Sequence, residues 1–329
     1  MMRRALRFLG LTLAVLAAAI TLYWFWLAVG VHLAGTELMV ARGAIIAAAL
    51  LCWALMGQGK LLWLLVLTAL GIVVAQVWFA YIPARGDRDW ATELEHGVTA
   101  DVTGSTVLLH NIRNFDWTRT SFTPAWENRT VDADQITSVD IFTSVWGNPL
   151  IAHLMVSFGF ADGQHVVFSS EIRRTKDEEY STLGGLVRQF ELVLIAADER
   201  DLIHLRTDAR DEQVSLFPLT LPPEQRKTLF MGFVQLGNDL AAQPQWYNTL
   251  TANCSTVPWR LARSLGDALP LDWRLVATAK IPGYLHDRGV LRPDLDLTQI
   301  EARAALPVFG PLPADGAAYS RAIRAAWAD

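Results

Sequence analysis

The stretch Pro149-Leu150-Ile151-Ala152-His153-Leu154-Met155-Val156-Ser157-Phe158-Gly159-Phe160-Ala161-Asp162-Gly163-Gln164-His165-Val166-Val167-Phe168-Ser169-Ser170-Glu171 decides how the soluble part of this chain folds. Two runs rich in β-branched and aromatic residues flank an Asp-Gly pair, which suits a tight turn. The stretch therefore reads as a β-hairpin. Counting back from a turn centred near Asp162 sets His153 opposite Glu171, to within one residue of register.

Outward from the hairpin, residues 106–112, 136–145 and 191–196 read as strands, and 202–207 as a further one. Residues 115–132 mix aromatics, polar residues and Pro124 without a sustained period, and read as irregular or edge structure. Residues 222–242 carry Leu229, Phe233, Leu236 and Leu240 on one helical face, with Pro222-Pro223 at the start.

Of the 329 residues, 52% are hydrophobic and 13 are Trp, too apolar for one ordinary soluble domain. Apolar runs at about 5–29, 38–57 and 61–82 read as transmembrane helices. Arg3 and Arg4 could open a cleaved signal peptide, but the apolar run continues through Tyr23-Trp24-Phe25-Trp26-Leu27, too long for one. Arg3, Arg4, Arg7 and Lys60 place the N-terminus and the second turn in the cytoplasm, with only Arg42 opposing. Three spans then deliver the rest of the chain to the far side. The expected organisation is a membrane region over 1–83, a charged linker over 84–104, a domain over 105–300 and a tail over 301–329. Residues 307–316 of that tail form a Pro/Gly-rich loop before a short Ala/Arg helix.

A net charge of −5 gives no footprint for nucleic acid. The two cysteines, Cys52 and Cys254, cannot build a disulfide framework and form no CxxC spacing. Asp294-Leu295-Asp296 lacks the glycine and glutamate of a calcium loop. No glycine-rich phosphate loop is present, so no metal and no cofactor is expected.

Cys254 lies in Tyr247-Asn248-Thr249-Leu250-Thr251-Ala252-Asn253-Cys254-Ser255-Thr256-Val257-Pro258. Val257, Leu261 and Leu265 set an apolar stripe beyond it, so the thiol stands at or just before a helix start. Helix-start N–H groups favour a thiolate and could receive an oxyanion. The plainer reading is a small side chain that caps and packs. A nucleophilic thiol needs a base, and six histidines lie outside the membrane region: His96, His110, His153, His165, His204 and His286. Spacing alone does not choose among them, although His153 has a carboxylate, Glu171, within the same hairpin.

Asn111-Ile112-Arg113-Asn114-Phe115, His153 followed by Ser157-Phe158-Gly159-Phe160, Ser170-Glu171-Ile172-Arg173, Glu191-Leu192, Asp198-Glu199-Arg200-Asp201 and Tyr247 to Thr251 with Asn253-Cys254-Ser255-Thr256 together resemble one family. It is the Lnb N-terminal periplasmic domain family, whose named member is a lipoprotein intramolecular transacylase. The matching pieces run in one order from about 111 to 265, roughly half the chain. The usual Asn-Cys-Thr-Thr reads Asn-Cys-Ser-Thr here, which keeps a hydroxyl. The resemblance implies a papain-like α+β domain of circularly permuted type, with histidine before cysteine in the chain. It carries Cys254 over as nucleophile and His153 as base; Glu171 lies in the matching stretch, and the hairpin assigns it the role of orienting the imidazole. Asn253, Ser255, Tyr247 and Asn248 are the expected substrate and oxyanion neighbourhood.

Three functions compete. Acyl transfer on membrane lipids or lipoproteins at the outer face of the inner membrane would run through a Cys254 thioester and requires an apolar groove leading to the thiol. An envelope cysteine peptidase or amidase would use the same residues in a polar, extended cleft. A non-catalytic envelope scaffold would leave Cys254 remote from His153.

Overall fold

Three apolar helices open the chain in the computed structural model, which describes residues 2–266, 269–310 and 315–328. They are α1 (Met2–His32), α2 (Gly35–Gly57) and α3 (Leu61–Ala80), each within about a turn of the bounds read from the sequence. All three are long and apolar enough to cross a membrane. The chain divides into two compact units, residues 1–85 with 179–190, and 86–178 with 191–329. In the first unit Ala14, Ala18 and Leu64 are buried where α1 meets α3. The 179–190 segment is fastened there too: Trp24 Nε1 donates to the Leu186 carbonyl at 3.0 Å, and the Arg188 guanidinium stacks on Phe79.

The second unit is a mixed α+β domain around an eight-stranded sheet. Its strands are β1 (Thr99–Thr103), β2 (Thr106–Arg113), β5 (Trp126–Asp132), β6 (Ile136–Val145), β7 (Ala152–Phe160), β8 (His165–Arg173), β9 (Glu191–Ala197) and β10 (Gln213–Pro218). A separate two-residue pair, β3 (Asp116–Trp117) and β4 (Phe122–Thr123), makes the remainder. The order across the sheet is β1-β2-β9-β8-β7-β6-β10, with β5 added to β2. The segment read as irregular or edge structure thus holds β5, which pairs with β2 off the main order, and the short β3–β4 pair.

The quoted hairpin forms β7 and β8, antiparallel from Met155↔Ser169 to Gly159↔His165. Gly163 takes φ +87°, a conformation glycine adopts without strain, and Asp162 Oδ1 accepts the Gln164 N–H at 3.0 Å. Because side chains alternate, Leu154, Val156, Phe158 and Phe160 point to one face while His153, Met155 and Ser157 point to the other.

On the first face lies α5 (Pro223–Ala242), whose Phe230 and Phe233 are wholly buried against Phe158 and Phe168. Truncating either ring to alanine would cost about 3–5 kcal/mol. On the second face lie α4 (Glu199–His204) and a C-terminal helix described below. Here the expected strand over 202–207 is corrected. Asp198 caps a helix start by accepting the Arg200 N–H at 3.0 Å, and one π-helical turn, Leu205–Ala209, follows.

The expected linker over 84–104 is corrected as well, since it folds into the domain. Trp90, Ala91, Leu94 and Val98 are buried, and β1 pairs along β2. Gly237 of α5 makes this approach possible, because a Cβ there would stand 2.7 Å from the Val98 carbonyl oxygen. Next to it Asn238 exchanges two hydrogen bonds with the backbone of Ala100, at 2.8 and 2.9 Å.

Beyond α5 come α6 (Thr256–Ala262), α7 (Ile281–Asp287), α8 (Leu297–Ala304) and α9 (Gly316–Ile323). The tail is part of the fold: Tyr319 and Ile323 of α9 are buried with Leu202 and Ile203 of α4. Of the Pro/Gly-rich loop over 307–316, residues 311–314 lie outside the described residues.

Candidate active site

His153 and Glu171 meet across the hairpin as the register requires, His153 Nε2 lying 3.1 Å from Glu171 Oε1. Ser169, on the same face of β8, sits between them. Its Oγ is 2.6 Å from His153 Nε2 and donates to Glu171 Oε1 at 2.7 Å. His153 is 7% exposed, so this pair works in a largely dry setting.

Cys254 reaches the same place from the other direction. It stands two residues before α6, in a loop closed by Asn248, whose N–H and C=O both pair with Ala252 at 3.0 Å. The half-buried thiol is within hydrogen-bonding reach of the His153 imidazole and of the Leu154 N–H. Burial pushes the thiol up, but the His153 charge, its hydrogen bond and the Leu154 N–H outweigh that and lower Cys254 below an ordinary thiol. Burial opposes charge on His153, yet Glu171 and Cys254 raise it to about 9. Glu171 is itself held far down by His153 and Arg206, against the upward push of burial. A thiolate–imidazolium pair oriented by a carboxylate is what these shifts describe.

The helix start does not offer the donors expected of it. The N–H groups of Ser255 and Thr256 both donate to Asn253 Oδ1 at 2.9 Å, and that of Val257 to the Asn253 carbonyl. Asn253 is thus the cap of α6, and its amide also donates to the Thr249 carbonyl at 2.6 Å. Ser255 Oγ is anchored on the Leu275 carbonyl at 2.8 Å. Asn248 Oδ1 accepts from Leu250 and Thr251, and Tyr247 packs against the α5-side core. Asn248, Asn253 and Ser255 thus shape the loop that carries the thiol. Among the described residues, the Cys254 N–H takes no acceptor.

Arg206 is the participant that reading 202–207 as a strand concealed. It lies on the π-helical turn, 4% exposed, with Nη2 3.3 Å from Glu171 and Nη1 3.1 Å from Glu212. Glu212 in turn accepts from Ser144 Oγ. The only sequence signal was the Asp198-Glu199-Arg200-Asp201 run, a helix start with acids in its first turn.

That run and Asn111–Phe115 build a frame. Arg113 makes a forked pair with Asp201, which also accepts from the Phe115 N–H at 2.8 Å and from Trp117 Nε1 at 2.7 Å. Arg200 Nε donates to Asn114 Oδ1 at 2.8 Å. Ser157 Oγ donates to Glu199 at 2.5 Å, and Glu199 and Asp140 share Arg324. Asp201 and Glu199 are both fully buried, so these motif residues hold the second face of the sheet together.

An apolar cavity of about 360 Å³ opens on the α5 face of the sheet, and neither Cys254 nor His153 is among the residues that line it. Leu154 and Ser255, the neighbours of His153 and Cys254 in sequence, line it, followed by Leu229, Trp259, Leu275 and Ile281. Gln225, Asp287 and Arg288 are its polar lining. Among the described residues no cluster of side chains is suited to hold a metal ion.

Residues 122–279 match the family model of the Lnb N-terminal periplasmic domain. No curated protein and no solved structure matches the chain significantly.

Proposed function

With residues 122–279 as a domain of the Lnb N-terminal periplasmic family, behind three candidate membrane spans, we propose that the chain is a membrane-anchored, thiol-dependent acyltransferase. It acts on lipids or lipoproteins at the periplasmic face of a bacterial inner membrane. The domain is read as a papain-like, circularly permuted one, since its histidine precedes its cysteine. The observation that carries the reading is the apolar cavity beginning at Leu154 and Ser255. Its volume falls within the range of about 300–1,000 Å³ typical of small-molecule sites. An acyl chain gains about 0.8 kcal/mol for each methylene it buries in such a place.

In the first step the Cys254 thiolate attacks the ester carbonyl of the donor, and a C–S bond forms. The charge that develops on the carbonyl oxygen falls to the Cys254 N–H. The C–O bond breaks, and the His153 imidazolium gives its proton to the leaving alkoxide. In the second step an acceptor amine attacks the thioester, His153 takes the amine proton, and the thiolate leaves. Glu171 keeps the imidazole oriented and stabilises its charged form, and Ser169 and Arg206 fix Glu171. A peptidase would use the same three side chains, but a cavity lined mainly by apolar side chains suits an extended polypeptide poorly.

The test is incubation of the membrane-embedded full chain with a lipopeptide that carries an ester-linked acyl group and a free amine. Mass spectrometry should find an acylated Cys254 peptide and an N-acylated product. Turnover of the same lipopeptide by Cys254→Ala at the wild-type rate, with no adduct in the wild type, would remove Cys254 as nucleophile.

A further inference from the structure

Among the described residues, one charge in the membrane helices has no counter-charge. Arg42 lies on α2, seven residues past its start at Gly35, which is about 10 Å along the helix. Among the described residues its guanidinium makes no hydrogen bond and no ion pair, and its Nε is buried without a partner. It stacks on the Trp26 ring of α1 at 4.7 Å. Its Nη2 also lies over Gly30, 3.5 Å from where a Cβ there would stand. Gly30 is two residues from the end of α1, so the side chain runs back toward the α1–α2 turn and carries its charge to headgroup depth. An arginine within a span, with donors unmet, calls for an anion.

Next to it the three helices leave an apolar cavity of about 480 Å³. Val29 on α1 and Leu33 just past its end line it, as do Ala41 and Ile45 on α2, and Val74 and Trp78 on α3. Its two hydroxyls are already bonded within their own helices, Thr21 to the Ala17 carbonyl at 2.8 Å and Thr68 to the Leu64 carbonyl at 2.9 Å. The cavity therefore offers mainly hydrocarbon, with Cys52 and Trp78 as its remaining donors, and Arg42 stands just outside its lining, next in sequence to Ala41.

We propose that this is a phospholipid site: one lipid of the outer leaflet sets its phosphate on Arg42 and one acyl chain between α1, α2 and α3. A docked protein helix would fill the apolar volume but leave Arg42 unanswered. A neutral lipid would do the same. The site is separate from the thiol and does not depend on the acyl-transfer reading.

The experiment reconstitutes the full chain in phosphatidylcholine vesicles doped with phosphatidylethanolamine bearing a diazirine at one acyl terminus. A parallel sample carries the diacylglycerol with the same chains. After illumination, adducts are mapped by mass spectrometry. Phosphatidylethanolamine adducts should concentrate on the cavity residues of the three helices. They should fall about fivefold with diacylglycerol and with Arg42→Gln, while Arg42→Lys retains most of them. Ala48→Phe, which fills the cavity but leaves the charge, should lower them as well. Adducts spread evenly over the exposed helix faces, or equal in amount for the two lipids, would overturn the site. So would full labelling of Arg42→Gln.

Discussion

Two clusters of charge lie on one face of the same sheet, and they differ in where they end. Asp140, Glu199 and Arg324 form a closed set, in which Arg324 bonds both carboxylates at 2.6–2.7 Å and Ser157 satisfies what is left of Glu199. Glu171, Arg206 and His153 form a chain of similar chemistry, but it runs out at a half-buried thiol. Both clusters have displaced titrations. Burial raises Asp140, while Arg324 overcomes the burial of Glu199 and holds it at about 2. A displaced pKa therefore does not mark chemistry by itself. An unfinished network that ends on a thiol is the stronger pointer.

The sharpest way to break the comparison is to remove the open end. Cys254→Ala should lose activity by roughly 10³-fold or more, and His153→Ala should come close to it, because groups acting as a unit fail together. Cys254→Ala should lower the melting temperature by no more than a few degrees, since the thiol is half-buried, whereas His153→Ala removes a buried partner of Glu171 and should lower it further. A Cys254→Ala protein that unfolds instead would place the thiol in the structural class.

The closed set should behave the other way round. Arg324→Met leaves Asp140 and Glu199 buried without a counter-charge, and about 3–5 kcal/mol of stability should go with it. Denaturant unfolding measures the loss, and turnover per folded molecule should change little.

The smallest effect is in pH. His153 is raised to about 9 from an ordinary 6.5, so the stability of its charged form is complete below the ordinary value and lost as pH rises through 9. Cys254 is lowered, so the stability of its thiolate is present above the ordinary thiol range and lost as pH falls through the depressed value. The ion pair occupies the interval between, and acyl transfer should fall off near pH 9 on the alkaline side. Alkylation of Cys254 against pH should show a midpoint below about 8.5 that rises in His153→Ala. Glu171→Gln should move it less, and reduce turnover about tenfold to a hundredfold, if the carboxylate only orients the ring.

The part of this site carried by alternation was legible in the residues. Asp162-Gly163 sets the turn and the apolar face sets the register, so His153 and Glu171 had to meet. Helix α5 was equally plain, from its apolar stripe and its prolines. The misreadings came from short segments whose partners are distant in sequence. Leu202-Ile203-His204-Leu205 is too brief for periodicity to separate helix from strand, and Arg206 was lost with it. Residues 84–104 look like a solvated stalk because they are charged, yet Arg88 pairs with Glu178 and Glu191, about ninety to a hundred residues away. Asn253 was placed near the oxyanion on the strength of its position. The capping bonds that occupy it depend on a loop geometry that no spacing records.

Arg324 also imposes an order of events. It comes 184 residues after Asp140 and 125 after Glu199, the two side chains it neutralises. While the chain is emerging, β6 and α4 are complete long before their counter-charge exists, and packing them would bury two bare carboxylates. The second face of the sheet is therefore held open until α9 arrives. A chain stopped at Gly310 should stay protease-sensitive, and a separately added α9 peptide should restore its resistance.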